Sequence, residues 1–287
     1  MYFNRMEAKM MAKASMRQAR PNPMLVTLVY MLLSSVITAL VPRLLGDPFS
    51  EMTGYLMMGY EPEEVFEYVV MGNLTAVALF CVVSVLLEAY STIMAFGYTS
   101  YALRMARNEQ SGFGNLFDGF QKPLRVLWAD ILVTFFSTLW GLLGMIPGLV
   151  LMVVGIAGDL WEMILSGYFF MLAGFAAVST VIGLRYGLTN YFILDDPNCT
   201  ARQAIRRSKE AMKGWKMELF TLKLSFFGWV LFGVITAGIA MIWVGPYMEA
   251  TLANFYDAVV GNGYDRPQPP PIRYVYDPNA GGDGPAL

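Results

Sequence analysis

The 287-residue sequence contains no histidine. Ser–His and Cys–His catalysis is therefore excluded, as is every metal site that needs imidazole. Cysteine is nearly absent: Cys81 lies in a long apolar run and Cys199 in a basic loop. Two such residues supply no zinc thiolate cluster and do not read as a disulfide. There is no phosphate loop of the G-x-x-x-x-G-K-S/T form, no G-x-G-x-x-G after a strand and no G-x-S-x-G elbow. Charge is scarce too, at 15% of residues against roughly 25% in soluble domains. The expectation is a non-enzymatic chain with no metal and no cofactor. Its composition also excludes a nucleic-acid binder, a disordered chain and a secreted disulfide scaffold.

What the sequence has is apolar length. Hydrophobic residues make up 56% and the mean hydropathy is +0.48. Crossing about 30 Å of hydrocarbon at about 1.5 Å per residue needs roughly 20 apolar residues. Runs of that kind cover Met24–Val41, Met71–Ser100, Val126–Val154 and Ile164–Leu194. A fifth block, Leu219–Tyr256, is too long for one span. It reads as two spans turning at Gly238, or as one span followed by an interfacial helix. The fold class is thus an all-α polytopic transmembrane bundle of six spans, alternatively five, with short amphipathic cytoplasmic helices.

The few charges are sorted along the chain. Fifteen of the twenty basic residues fall in three segments: before the first span, between the second and third, and between the fourth and fifth. The alternate loops, Gly46–Val70 and Gly155–Met163, contain none, and the first of these carries six acids. The positive-inside rule places the N-terminus and the basic loops in the cytoplasm. The basic N-terminal segment reads as part of a retained anchor. Three regions follow: a basic amphipathic segment over 1–23, a transmembrane domain over 24–260 and a Pro/Gly-rich disordered tail over 261–287.

Arg5, Lys9, Lys13 and Arg17 recur every four residues, one basic stripe on a helix. They serve as a topogenic signal or as an interfacial helix on anionic lipid. Thr200 and Gln203 have capping-box spacing. The helix they open places Arg202, Arg206, Lys209, Lys213 and Lys216 largely opposite Ala204, Ile205, Ser208, Met212 and Trp215. These basic residues read as lipid-facing at the cytoplasmic surface, with the bilayer's anionic lipids as partners. A docking surface for a protein partner is the other reading.

Ionisable residues inside spans are costly and are candidates for function. They are Glu88, Asp130, Arg185, Lys223 and Glu249, with Asp257 near a boundary. Asp130 and Lys223 stand near a predicted cytoplasmic boundary. Glu88 and Arg185 stand deeper and suggest a buried pair, structural or on a transport path. Gly144-x-x-x-Gly148 and Gly183-x-x-x-Gly187 suggest close helix packing, and Pro147 a kink.

From the third span onward several elements are recognisable. They are Trp140-Gly-Leu-Leu-Gly-Met-Ile-Pro-Gly148, Leu184-Arg-Tyr-Gly-Leu-Thr-Asn-Tyr-Phe-Ile-Leu-Asp-Asp-Pro197, and Ala204-Ile-Arg-Arg-Ser-Lys-Glu-Ala-Met-Lys-Gly214. Leu224-Ser-Phe-Phe-Gly-Trp229, Trp243-Val-Gly-Pro-Tyr247 and Ala253-Asn-Phe-Tyr256 complete the set. Together they resemble the uncharacterised bacterial integral membrane proteins grouped as domain of unknown function 975. The resemblance is strongest from Trp140 to Tyr256. It implies a multi-pass bundle in a bacterial plasma membrane and favours a sixth helix holding Pro246 and Tyr256. It brings no catalytic residues. Two functions stay open: an accessory or envelope component acting through protein or lipid contacts, and a small permease or permease subunit using Glu88 and Arg185.

Overall fold

A computed structural model describes residues 3–261. The tail predicted over 261–287 therefore lies outside the described residues, apart from Gly261. Among the described residues every regular element is helical.

Helix α1 (Arg5–Gln18) starts at Asn4, whose side chain accepts the Met6 and Glu7 amides and so caps the first turn. It buries Ala8, Ala12 and Ser15, a narrow seam of small residues at helical spacing. After Pro21, α2 (Pro23–Met31) and α3 (Ile37–Leu45) run as one rod through a π turn at Leu32–Val36. The Tyr90 hydroxyl donates to Leu33 O within that turn at 3.0 Å. The acidic segment, expected as a loop, is itself helical: α4 (Pro48–Met57), then α5 (Pro62–Phe66) and a π turn at Glu67–Met71. Asp47 caps α4, and Glu51, Glu63 and Glu64 sit in first turns, where negative charge suits the helix dipole.

Helix α6 (Leu74–Ala106) has 33 residues, a rod of about 50 Å. All of its buried residues lie from Ile93 onward. A 3-10 stretch, Phe113–Gln121, lies back along that buried half. Next come α7 (Pro123–Gly144) and α8 (Ile146–Ala157), separated at Met145 with Pro147 in the new first turn. Both pack against α9 (Trp161–Tyr186). A short turn leads to α10 (Thr189–Asp195), and then to α11 (Ala201–Ala211) with the Thr200–Gln203 capping box formed. Helices α12 (Lys216–Leu224) and α13 (Phe227–Ile235) make one further rod. The chain reverses at Gly238, whose φ of +89° suits glycine, into α14 (Met241–Val260).

Five helical stretches are long and apolar enough to cross a membrane: Pro23–Leu45, Leu74–Ala106, Pro123–Gly144, Trp161–Asp195 and Lys216–Ile235. Helix α14 is not among them. Its 20 residues include Glu249, Asn254 and Asp257, and it runs through the middle of the molecule against α1, α2 and α6.

Packing is uneven along the rods. The three buried clusters draw on α1, the start of α2, the second half of α6, the start of α7, the end of α9, α10 to α12 and α14. Those parts carry the basic segments. Toward the other end, large apolar side chains face outward, including Leu74, Val85, Phe135, Leu165 and Ile235. In water such a belt would be a severe exposure of apolar surface.

Two sequence expectations change in detail. The stripe on α1 does not simply face lipid: Lys9 Nζ lies 4.4 Å from the centre of the Phe226 ring, Lys13 Nζ lies 5.6 Å from that of Tyr247, and Arg5 reaches Glu218 at 4.0 Å. Small residues bring α1 so close to α14 that its lysines project over neighbouring rings. Gly183 meets nothing within 4 Å, so it is not a packing glycine; it faces outward from α9.

Candidate functional site

A densely bonded polar group is centred on Arg107, the residue that ends α6. Its Nη1 lies 2.5 Å from Asp195 Oδ1 and its Nη2 2.9 Å from Asp195 Oδ2. This is the fork-on-fork geometry of a bidentate arginine–carboxylate pair. The same Nη2 donates to Asp257 Oδ1 at 2.7 Å, and Nε does so at 3.2 Å. The Tyr256 hydroxyl completes the group, donating to Asp195 Oδ2 at 2.6 Å. Arg107, Asp195 and the Tyr256–Asp257 pair come from the ends of three helices, so one guanidinium joins α6, α10 and α14. Its hydrogen bonds to Asp195 hold the Arg107 guanidinium above its already high ordinary range. Tyr256 is buried and stacks on Tyr191 at 4.9 Å, with Phe192 edge-on. Every Arg107 nitrogen here has a carboxylate partner, which makes the group a clamp between helices.

The clamp continues along α14. Asn254, buried one turn before it, donates through Nδ2 to Ala8 O at 3.0 Å and so ties α1 to the same helix. Ser15 Oγ on α1 reaches Ala106 O at 3.4 Å. Further from the basic end, Glu249 lies within electrostatic reach of Lys223 on α12, though not in ion-pair contact. Tyr30 and Tyr98, stacked at 4.4 Å, stand near the same carboxylate.

The other predicted residues separate into two places. Glu88 on α6 lies near Asp130 on α7, with Thr92 beside the Asp130 carboxyl. Arg185 is elsewhere, in the last turn of α9. The expected Glu88–Arg185 ion pair does not form among the described residues: the two side chains meet different neighbours. Arg185 instead shares a cavity of about 340 Å³ with Lys209, Lys213, Gly214, Lys216 and Met217.

Helix α11 docks on the bundle's end through Ala204, Ser208 and Met212, all buried. Ser208 Oγ accepts from Leu188 N and donates to Arg185 O, both at 3.2 Å. It thereby satisfies backbone groups freed where α9 gives way to α10. On the outer side of α11, Arg202 is exposed and Arg206 pairs with Glu210 at 3.8 Å. Arg17 lines a separate groove with Lys13 and Arg20. Just outside the rods, Asp196 is held below the usual carboxylate range by the Asn198 amide and by Arg207.

Helices α7 to α9 meet backbone to backbone. A Cβ on Gly144 would fall 2.4 Å from Gly174 O, and one on Gly148 would fall 2.2 Å from Met171 N. Gly187 lies against Leu219. No group of three or more metal-ligating side chains occurs among the described residues.

Sequence reasoning missed Arg107, Asp195 and Tyr256. Arg107 stood among four loop cations and read as topogenic. The signal available was chemical: Asp195 and Asp257 are acids at the ends of apolar runs, and each needs a cation nearby.

A family model described as a protein of unknown function, DUF975, matches residues 1–263. The match takes in the first two apolar rods, where the sequence resemblance was weaker. No curated protein and no solved structure matches the chain.

Proposed function

We propose, for a chain that belongs to the DUF975 family over residues 1–263, that the protein is a multi-pass bacterial plasma-membrane protein acting through contacts rather than catalysis. The observation carrying this reading is the uneven packing. Side chains are buried at the basic end, while the remaining lengths of α6, α7, α9 and α13 turn large apolar side chains outward. Hydrocarbon solvates such a surface and water does not. On this reading α14 is a sixth crossing whose polar side chains are shielded by its neighbours. The N-terminus and the end of α14 then share the cytoplasmic side with the basic segments. The clamp makes that end a rigid platform of α1, α11 and the helix termini, suited to holding lipid or a membrane-protein partner.

Two labels test the topology. A Ser50→Cys variant should react with an impermeant thiol reagent added outside whole cells. A fluorescent protein fused to the C-terminus should fluoresce, because it folds in the cytoplasm. Labelling at Ser50 with a dark fusion would remove the sixth span. Recovery of the chain in the soluble fraction would sink the membrane reading.

A permease is the second reading, favoured by Glu249 within the bundle beside Lys223 and two tyrosines. Flux in proteoliposomes that Glu249→Gln leaves unchanged would take this carboxylate out of any path.

A further inference from the structure

The cavity beside Arg185 has an unusual charge balance. Arg185 comes from the last turn of α9, Lys209 from the last turn of α11, Lys213 from just beyond it, and Lys216 opens α12. Lys209 and Lys213 both line the cavity, Lys213 from the turn that follows α11. Gly214, with φ of +82° and nothing near its Cβ position, turns the chain so that Lys216 reaches the same rim. Among the described residues no ion pair engages any of these four cations. The nearest acids in sequence are turned elsewhere: Glu210 pairs with Arg206 and Glu218 with Arg5. Four like charges around one cavity repel unless an anion sits among them.

The location narrows the anion. Arg185 stands in the last turn of α9 and Lys216 begins a membrane-length helix, so the cavity lies where these apolar rods meet the basic end. Met217 on its rim is 70% exposed, an apolar surface next to the cations. A phosphate with an attached acyl chain matches both features, whereas a free phosphate uses only the first.

We infer that this cavity is a headgroup site for one anionic phospholipid, with Arg185, Lys209, Lys213 and Lys216 around its phosphate and Met217 against its chain. The inference rests on the membrane reading above and gives its lipid contact an address. Lipids bound in this way wedge α9 against α11 and α12, the junction that Ser208 already stitches.

The test uses the full chain in an uncharged detergent, stripped of lipid. It is titrated with phosphatidylglycerol, phosphatidylcholine or inorganic phosphate, and bound lipid is counted by native mass spectrometry. One phosphatidylglycerol should be retained and phosphatidylcholine should not. The Arg185→Gln/Lys213→Gln variant should lower the retained fraction at least fivefold, while Arg202→Gln/Arg206→Gln on the outer side of α11 stays within twofold. If the first variant does not fold, Lys213→Gln/Lys216→Gln carries the same expectation. Equal retention of phosphatidylcholine, or equal loss in the outer pair, would overturn the site in favour of diffuse charge. Competition by inorganic phosphate at equal concentration would reassign it to a soluble anion. Failure here is distinct from failure of the membrane reading, which cell fractionation decides without reference to these residues.

Discussion

Arg107 Nη2 stands 2.7 Å from Asp257 Oδ1, joining positions 150 residues apart in the chain. The same guanidinium holds Asp195 on its other edge. Breaking a fully buried ion pair costs about 3–5 kcal/mol, because the remaining charge stays desolvated; here Asp257 is buried while Arg107 and Asp195 are partly open to solvent, which screens part of that cost. Arg107→Leu should therefore lower stability, by less than that full amount. Arg107→Lys should recover only part of it, since a point ammonium cannot fork to two carboxylates. Denaturation in detergent measures both. A leucine variant that melts with the parent would mean that the three helix ends are held by something else.

The pH dependence has a clear sign at Asp196. The Asn198 amide and Arg207 lower its folded pKa, so it stabilises the fold above the ordinary carboxylate range. That contribution fades as pH falls through the lowered value. Asp196→Asn should melt below the parent at pH 7, and the gap should close on acidification below about pH 4. Melting curves across pH decide it. A gap that persisted unchanged at low pH would assign the effect to shape rather than charge.

Much of this architecture was legible in the sequence because apolar run length and charge placement are written into short stretches of chain. Apolar runs, the reversal at Gly238 and the break at Pro147 are local signals. The basic and acidic segments sort to opposite ends for the same reason. The clamp was not legible, because Arg107 looks like any other loop cation until α14 returns beside it. Glu88 and Arg185 misled for the converse reason: opposite charge in separate rods says nothing about level or facing. The helices of the acidic segment were hidden by glycine and proline, which here mark helix starts and ends rather than a loop.

The glycines of α7 to α9 offer a paired comparison. A methyl at Gly144 meets the Gly174 carbonyl and Val178, whereas one at Gly183 meets nothing. Forcing atoms into a packed contact costs typically about 1–3 kcal/mol. Alanine for an open helical glycine instead gains about 0.5–1 kcal/mol. Gly144→Ala should lower the melting temperature and Gly183→Ala should hold or raise it. The two changes moving together would show that the α7–α9 contact tolerates spreading.

Tyr98 and Tyr101 lie one helical turn apart on α6, and their hydroxyls are bonded differently. The Tyr98 hydroxyl shares a hydrogen bond of 2.8 Å with Thr27 on α2. The Tyr101 hydroxyl is buried with no protein hydrogen-bond partner among the described residues. A net hydrogen bond contributes about 0.5–1.5 kcal/mol, while an unsatisfied buried hydroxyl costs about 1–3 kcal/mol. Tyr98→Phe should therefore destabilise by about 1 kcal/mol. Tyr101→Phe keeps the ring in its packed place and removes only the unsatisfied atom, so it should be neutral or stabilising. Thermal melts of the two variants under one set of conditions make the comparison. A loss at Tyr101→Phe as large as that at Tyr98→Phe would reveal a partner for the Tyr101 hydroxyl, an ordered water bridging α6 to its neighbours being the candidate.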